Sequence, residues 1–392
     1  MHLFLNKIFQ PNVSVPTIRK TDNNNYATNY KGLTQDTFVK SAEPVFKSKG
    51  GSKTKAGDKL KDLDNITCPY SGVKMLSHRK MSQIEFRLNK CETLSSGIAE
   101  LQPYRRCMQN LENEVFSSLK SYEKSHPNAT ADKALQQLYP DCLTKLRLEE
   151  FKVLDNIDSL SDKLEPTKAF AVRKVTTNAR KQILDNQDGQ IFKRKDLLTE
   201  ILNVTKNAKD KKVVDEMWET ANKLPKSATN FNAFVVKYAG RSQNEIFARL
   251  LRPSVASIEH ITPKSIKPDH TLANFMLASR DWNSDRGNIS LPDYIKKHPN
   301  IPDNCQHYTN DIIREVKKGH LQNANWYPYM IKEKLYNESE GIVDINLDKY
   351  NISEEEAMQD APLDIVEKYN EIKEANKSIQ PKASVDKEPT MT

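Results

Sequence analysis

The sequence predicts an α+β protein, predominantly α-helical, in which a small ββα unit has a large helical domain inserted into it or preceding it. Three observations carry that expectation. Apolar residues recur at helical spacing through most of residues 79–252. Two short strand-favouring runs, Val255 to Ile258 and Phe275 to Leu277, stand a loop apart and are followed by Asp281, a residue suited to cap a helix. Glycine is scarce, 11 among 392 residues, and none lies in a Gly-rich loop of the Walker or dinucleotide kind, so nucleotide binding by those devices is unsupported.

Residues 1–64 read as a flexible basic arm. From Pro11 to Asp64 the chain is rich in Asn, Thr, Ser and Lys, carries Gly50-Gly51 and Lys53, Lys55, Lys59 and Lys61, and has no sustained apolar period. Its lysines fit a solvated tail better than a phosphate-binding run. Residues 65–78 hold a turn, Cys68-Pro69-Tyr70-Ser71-Gly72.

The helical domain is expected over 79–252. Met108, Leu111, Val115 and Leu119 form one stripe, and Leu146, Val153, Ile157, Leu160 and Leu164, closing at Pro166, form another. Further helices fit Ala169 to Leu184, Lys195 to Val204, Val213 to Leu224, Phe231 to Tyr238 and Gln243 to Leu251. Such stripes are core and need no cofactor. Residues 253–340 supply the ββα unit and following helices. Residues 341–392 read as an acidic, partly disordered tail with one helical candidate, Ile352 to Glu374.

With 60 Lys and Arg against 52 Asp and Glu, the formal charge is +8, a weak pointer to a polyanionic partner. Glu338, Glu340, Asp344, Asp348, Glu354, Glu355 and Glu356 make the C-terminal stretch acidic, so the preceding chain is more basic than average. Five cysteines without a C-x-x-C pair argue against a disulfide framework and suit a reducing, cytoplasmic setting. Asn6 and Lys7 interrupt the apolar opening, so neither a signal peptide nor a membrane span is expected.

The informative window runs Ser257-Ile258-Glu259-His260-Ile261-Thr262-Pro263-Lys264-Ser265, then Leu272-Ala273-Asn274-Phe275-Met276-Leu277, then Trp282-Asn283-Ser284-Asp285-Arg286-Gly287-Asn288. In a ββα unit the end of the first strand faces the first turn of the helix. Glu259 and Asn283 then offer two oxygen ligands to one hard divalent cation, with water and phosphate oxygens completing the shell. Consecutive strand residues point to opposite faces, so Glu259 and His260 can share a site only where the strand frays or turns. An imidazole beside a metal-bound phosphodiester is suited to take a proton from water.

These residues resemble the HNH, or ββα-metal, nuclease family. The steps from His260 to Asn274 and from Asn274 to Asn283 are 14 and 9 positions, the separations usual in that family, and Asn283 to Asn288 resembles its closing Asn-x-x-Arg-Gly element. The resemblance implies Glu259 and Asn283 as metal ligands, His260 as general base, Asn274 as the residue orienting the His260 ring, and Arg286 as a phosphate contact. Lys264 and Arg280 are further candidates for phosphate. It also implies one Mg²⁺ or Mn²⁺ ion and DNA as substrate, with RNA as the alternative. His270, His298, His307 and His320 stand in no recognised ligand spacing.

Cys68 to Gly72 resembles the first knuckle turn that often precedes this motif, where a C-x-x-C pair binds structural zinc. Here Ser71 replaces the second cysteine, and Ser279 and Trp282 stand where the second pair is expected. The helical block between the turn and Glu259 then reads as an insertion splitting the nuclease fold. A contrasting reading is a nucleic-acid-binding or structural protein that keeps the fold without turnover. One thiolate cannot hold structural zinc, and packing around Trp282 is expected in its place. Elemental analysis of the purified protein should therefore find no stoichiometric zinc; one tightly held zinc per chain would point to His78 or Cys305 as ligands.

Overall fold

The first amides of a helix need acceptors, and short polar residues at the expected starts supply them. In the computed structural model, which describes residue 60 and residues 62–185, 194–263, 265 and 271–379, Ser77 accepts from the Lys80 amide at the head of α1 (His78–Leu88). Thr93 and Ser96 close a capping box on α2 (Leu94–Leu101). A short 3-10 turn, Gln102–Cys107, leads to α3 (Asn110–Glu123), α4 (Ala131–Ser161), α5 (Pro166–Asp185) and α6 (Arg194–Thr205). Asp210, Asn230 and Ser242 then cap α7 (Lys211–Ala221), α8 (Phe231–Tyr238) and α9 (Gln243–Arg249).

Two differences from the sequence reading concern proline. Pro166 opens α5 instead of closing the helix before it, because a first-turn position loses nothing by lacking an N–H. Helix α4 runs for 31 residues with Pro140 inside it. It spans two cores. Leu135 and Leu146 pack with residues from Leu76 to Phe116 and Phe234 to Val255, whereas Leu154 and Ile157 pack with Val172 to Leu224.

A third core joins the two sides of the helical block. Leu60, Leu63, Ile66, Cys68, Tyr70 and Met75 cluster with Ala256, Phe275 to Ala278 and residues as far as Ile372. Thr67 and Lys74 pair as an antiparallel bridge, and Leu76 bridges Val255 in parallel. Leu76 donates to the Ser254 carbonyl at 3.0 Å and accepts from the Ala256 amide at 2.8 Å. The chain therefore leaves this core after Leu76 and returns beside it at Ser254, so the insertion's ends lie together.

Strand β1 (Ala256–His260) pairs antiparallel with β2 (Phe275–Ser279), placing His260 opposite Phe275 and Ala256 opposite Ser279. Helix α10 (Arg280–Arg286) follows at once. Its N-cap is the extended Ser279, not the expected Asp281, which lies in the first turn where an acid complements the helix dipole. Helices α11 (Leu291–Lys297), α12 (Ile301–Lys317) and α13 (Tyr327–Glu338) complete this side.

The acidic stretch expected as a tail belongs to the same core as far as Ile372. Val343, Ile345, Tyr350, Ile365, Tyr369 and Ile372 are buried in it, and the single helical candidate is two helices, α14 (Glu354–Gln359) and α15 (Leu363–Asn376). Ile365, Tyr369 and Ile372 keep helical spacing on the inner face, while acids such as Asp364 and Glu371 stay exposed; charge content alone concealed the stripe. The basic arm, apart from residues 60 and 62–64, and the last residues, 380–392, lie outside the described residues. Among the described residues no helix is long and apolar enough to cross a membrane.

Asp311 on α12 clasps the Thr67–Lys74 hairpin. Its Oδ2 accepts from the Thr67 amide at 2.7 Å and from the Thr67 hydroxyl and Lys74 Nζ at 2.6 Å each, and Oδ1 accepts from Arg314 at 2.6 Å. Burial works to raise its carboxyl, but the Lys74 and Thr67 bonds outweigh it and hold it below the ordinary value. The unfolded chain then binds the proton more tightly, so this contribution is complete near neutrality and is lost as pH falls below about 5. We expect Asp311→Ala to cost about 2–3 kcal/mol at pH 7 and to flatten the acid-side decline, read from urea denaturation between pH 7 and pH 3.

Candidate active site

The site forms where β1 stops. Glu259 is 5% exposed, and two groups meet on one of its oxygens. The Tyr70 hydroxyl, delivered by the turn on the far side of the helical block, donates to Oε1 at 2.9 Å. Arg286, the last residue of α10, donates from Nη1 to the same Oε1 at 2.5 Å and to the Tyr70 oxygen at 2.7 Å. The turn holding Tyr70 depends on Gly72, whose φ of +71 suits glycine and whose missing side chain leaves room for Asn304. Asn304 Nδ2 in turn donates to the Tyr70 carbonyl at 3.1 Å.

The Arg286 guanidinium also caps the strand end. Nη1 donates to the His260 carbonyl at 3.0 Å and Nη2 to the Ile261 carbonyl at 2.7 Å. These two carbonyls thus face the end of α10. Burial pushes the Glu259 carboxyl up from its ordinary value, against the opposing pull of Arg286 and the Tyr70 bond. Burial likewise raises the Tyr70 phenol well above its usual range, which keeps it a neutral donor.

Asn274, wholly buried, grips the chain just past His260. Its Oδ1 accepts from the Thr262 amide at 2.8 Å and its Nδ2 donates to the Thr262 carbonyl at 3.1 Å, while its own carbonyl accepts from the Ile261 amide at 2.9 Å. The half-buried His260 ring stands edge-on to Phe275, centroids 4.7 Å apart. Asn283, one turn before Arg286, donates from Nδ2 to the Ser257 hydroxyl at 2.9 Å and to the Ile258 carbonyl at 3.1 Å. Those bonds leave Oδ1 as its acceptor atom.

Glu259, His260, Asn274 and Asn283 are therefore brought together around the β1 terminus. Arg286, expected on a phosphate, is 1% exposed, and four of its bonds go to protein groups; a phosphate contact from this position requires it to leave them. Lys264 lies outside the described residues. Arg249 pairs with Glu112 and Arg252 with Glu85, both within the helical block. Tyr70 is the residue that sequence reasoning missed. It stood in view within the knuckle-like turn, but no local pattern announces a partner 189 positions away.

At the Cys68–Gly72 turn, the Ser279 amide and hydroxyl sit 3.3 and 3.4 Å from Cys68 Sγ. Cys305 Sγ lies 3.8 Å from the Pro69 carbonyl, and burial pushes its thiol up. Trp282 packs edge-on against Tyr294 and His298 and donates to Gln109 of the helical block at 2.7 Å.

A hard cation commonly takes only one or two protein oxygens and fills its shell with water and phosphate. The residues present fit that demand: the Tyr70 and Arg286 bonds both fall on Glu259 Oε1, and the Asn283 amide nitrogen is turned into the strand. Among the described residues no three His, Cys, Asp or Glu side chains cluster to hold a metal ion. Compared with known proteins, the chain matches no family model, no curated protein and no solved structure.

The placement of Arg286 makes a distinctive prediction. Removing one partner of a buried ion pair costs about 3–5 kcal/mol, whereas truncating an exposed phosphate contact changes stability by about 0.5 kcal/mol or less. Arg286→Ala should fall in the first range by chemical denaturation of the nucleic-acid-free protein.

Proposed function

We propose that this protein is an HNH-type, metal-dependent endonuclease that hydrolyses DNA phosphodiester bonds. The observation that supports the reading is the convergence of Glu259, His260, Asn274 and Asn283 on the end of β1, in strand–strand–helix order, with backbone bonds that turn the chain just after His260.

In this reading the Glu259 carboxylate and Asn283 Oδ1 bind one Mg²⁺ or Mn²⁺, which supplies Lewis-acid stabilisation of the phosphate and the leaving 3′ oxygen. His260 accepts the proton of the attacking water. Asn274 holds the Thr262 peptide, and so the segment carrying the imidazole. Arg286 fixes the His260 and Ile261 carbonyls and neutralises the carboxylate from behind. One such site cuts one strand per encounter, so a nick is the elementary product.

The Glu259–Arg286 ion pair also favours a second reading, a fold retained for binding without turnover, because a guanidinium already compensates the carboxylate. A supercoiled-plasmid assay separates the two. The full-length protein should nick with Mg²⁺ and stop on addition of EDTA, and His260→Ala should lower the rate by about 10²- to 10⁴-fold with DNA binding nearly unchanged in a gel-shift assay. No nicking by the wild-type chain, or wild-type rates in His260→Ala, would overturn the assignment; cleavage confined to RNA would correct the substrate.

A further inference from the structure

We propose that Tyr70 is a positioning residue for the cation site, acting through Glu259 and Arg286; this rests on the nuclease reading above. Glu259 and His260 close β1 opposite Met276 and Phe275, and the chain just beyond them is redirected. Arg286 supplies the redirection by holding the His260 and Ile261 carbonyls at 3.0 and 2.7 Å. An arginine with no anchor of its own has five donors and long side-chain freedom. Tyr70 removes that freedom. Its hydroxyl accepts from Nη1 at 2.7 Å and its ring lies 5.6 Å below the guanidinium carbon.

The same hydroxyl makes a choice between the two carboxylate oxygens. It donates to Oε1, where Nη1 also donates, so Oε1 becomes the structural oxygen. The ring that carries this hydroxyl is itself fixed, edge-on to Tyr294 at 5.3 Å. The group comes from the turn at residues 68–72, so the completed site depends on chain from both sides of the helical block. The turn at residues 68–72 thus acquires a task at the site.

The test uses the full-length protein and Tyr70→Phe, which deletes the hydroxyl and keeps the ring. Mn²⁺ binding is measured by calorimetry, beside plasmid nicking across Mg²⁺ concentration, below the melting midpoint of every variant. Loss of a group that orients a metal ligand typically weakens metal binding or activity by about 10- to 100-fold. We expect that weakening in the Mn²⁺ dissociation constant of Tyr70→Phe, with a matching rise in the Mg²⁺ needed for half-maximal nicking. Asp311→Ala, which loosens the same hairpin but keeps the hydroxyl, is the control and should stay within about twofold of wild type. A wild-type Mn²⁺ affinity in Tyr70→Phe overturns the positioning role alone. Equal weakening in both variants also overturns it, as an effect of stability. No Mn²⁺ binding or nicking by the wild-type chain overturns the nuclease reading and this inference with it.

Discussion

A guanidinium with almost no exposed surface is the constraint around which this side of the molecule is arranged. Burying the Arg286 charge is expensive unless it is paired, and Nη1 and Nη2 find partners although the buried Nε has none. The partners come from two separate places: the Tyr70 hydroxyl from the turn at residues 68–72, and the Glu259 carboxylate with the His260 and Ile261 carbonyls from the end of β1 and the residue after it. Neither satisfies the charge alone. Convergence of those segments is a condition for burying the arginine, which ties local geometry at the candidate site to the global path of the chain.

That condition explains how a helical block can interrupt the fold. The block's entry and exit are fastened by the bonds between Leu76 and the backbone of Ser254 and Ala256, and the sequence length between them is then of little thermodynamic consequence, because closure entropy grows only slowly with loop length. Asp311 adds a second fastening from α12 to the Thr67–Lys74 hairpin. Gln109 adds a third, reaching Trp282 beside Asn283. Conformational change in the block therefore has a direct contact with the helix that bears a candidate ligand.

The two asparagines divide the work of shaping the backbone. Asn274 uses both ends of its amide on one peptide, Thr262, as a strand neighbour would. Asn283 uses its nitrogen to pin α10 to β1. An amide suits both tasks since it carries donors and an acceptor in one plane, a combination a carboxylate lacks.

The sequence by itself determined the helical character of residues 79–252, the two short strands and the residues to watch between 259 and 286, because periodicity, capping residues and fixed spacing are local properties. It also marked Cys68 to Gly72 as a turn related to that segment. Tertiary structure decided the rest. The inward role of Arg286 and the part played by Tyr70 depend on contacts 27 and 189 positions apart in sequence, and no local pattern encodes which partner a charge will find. The C-terminal stretch follows the same rule: its acids are visible in composition, whereas the burial of Ile365, Tyr369 and Ile372 exists only once a core is present to receive them. Spacing can nominate a catalytic set, but burial and partner choice are properties of the assembled core.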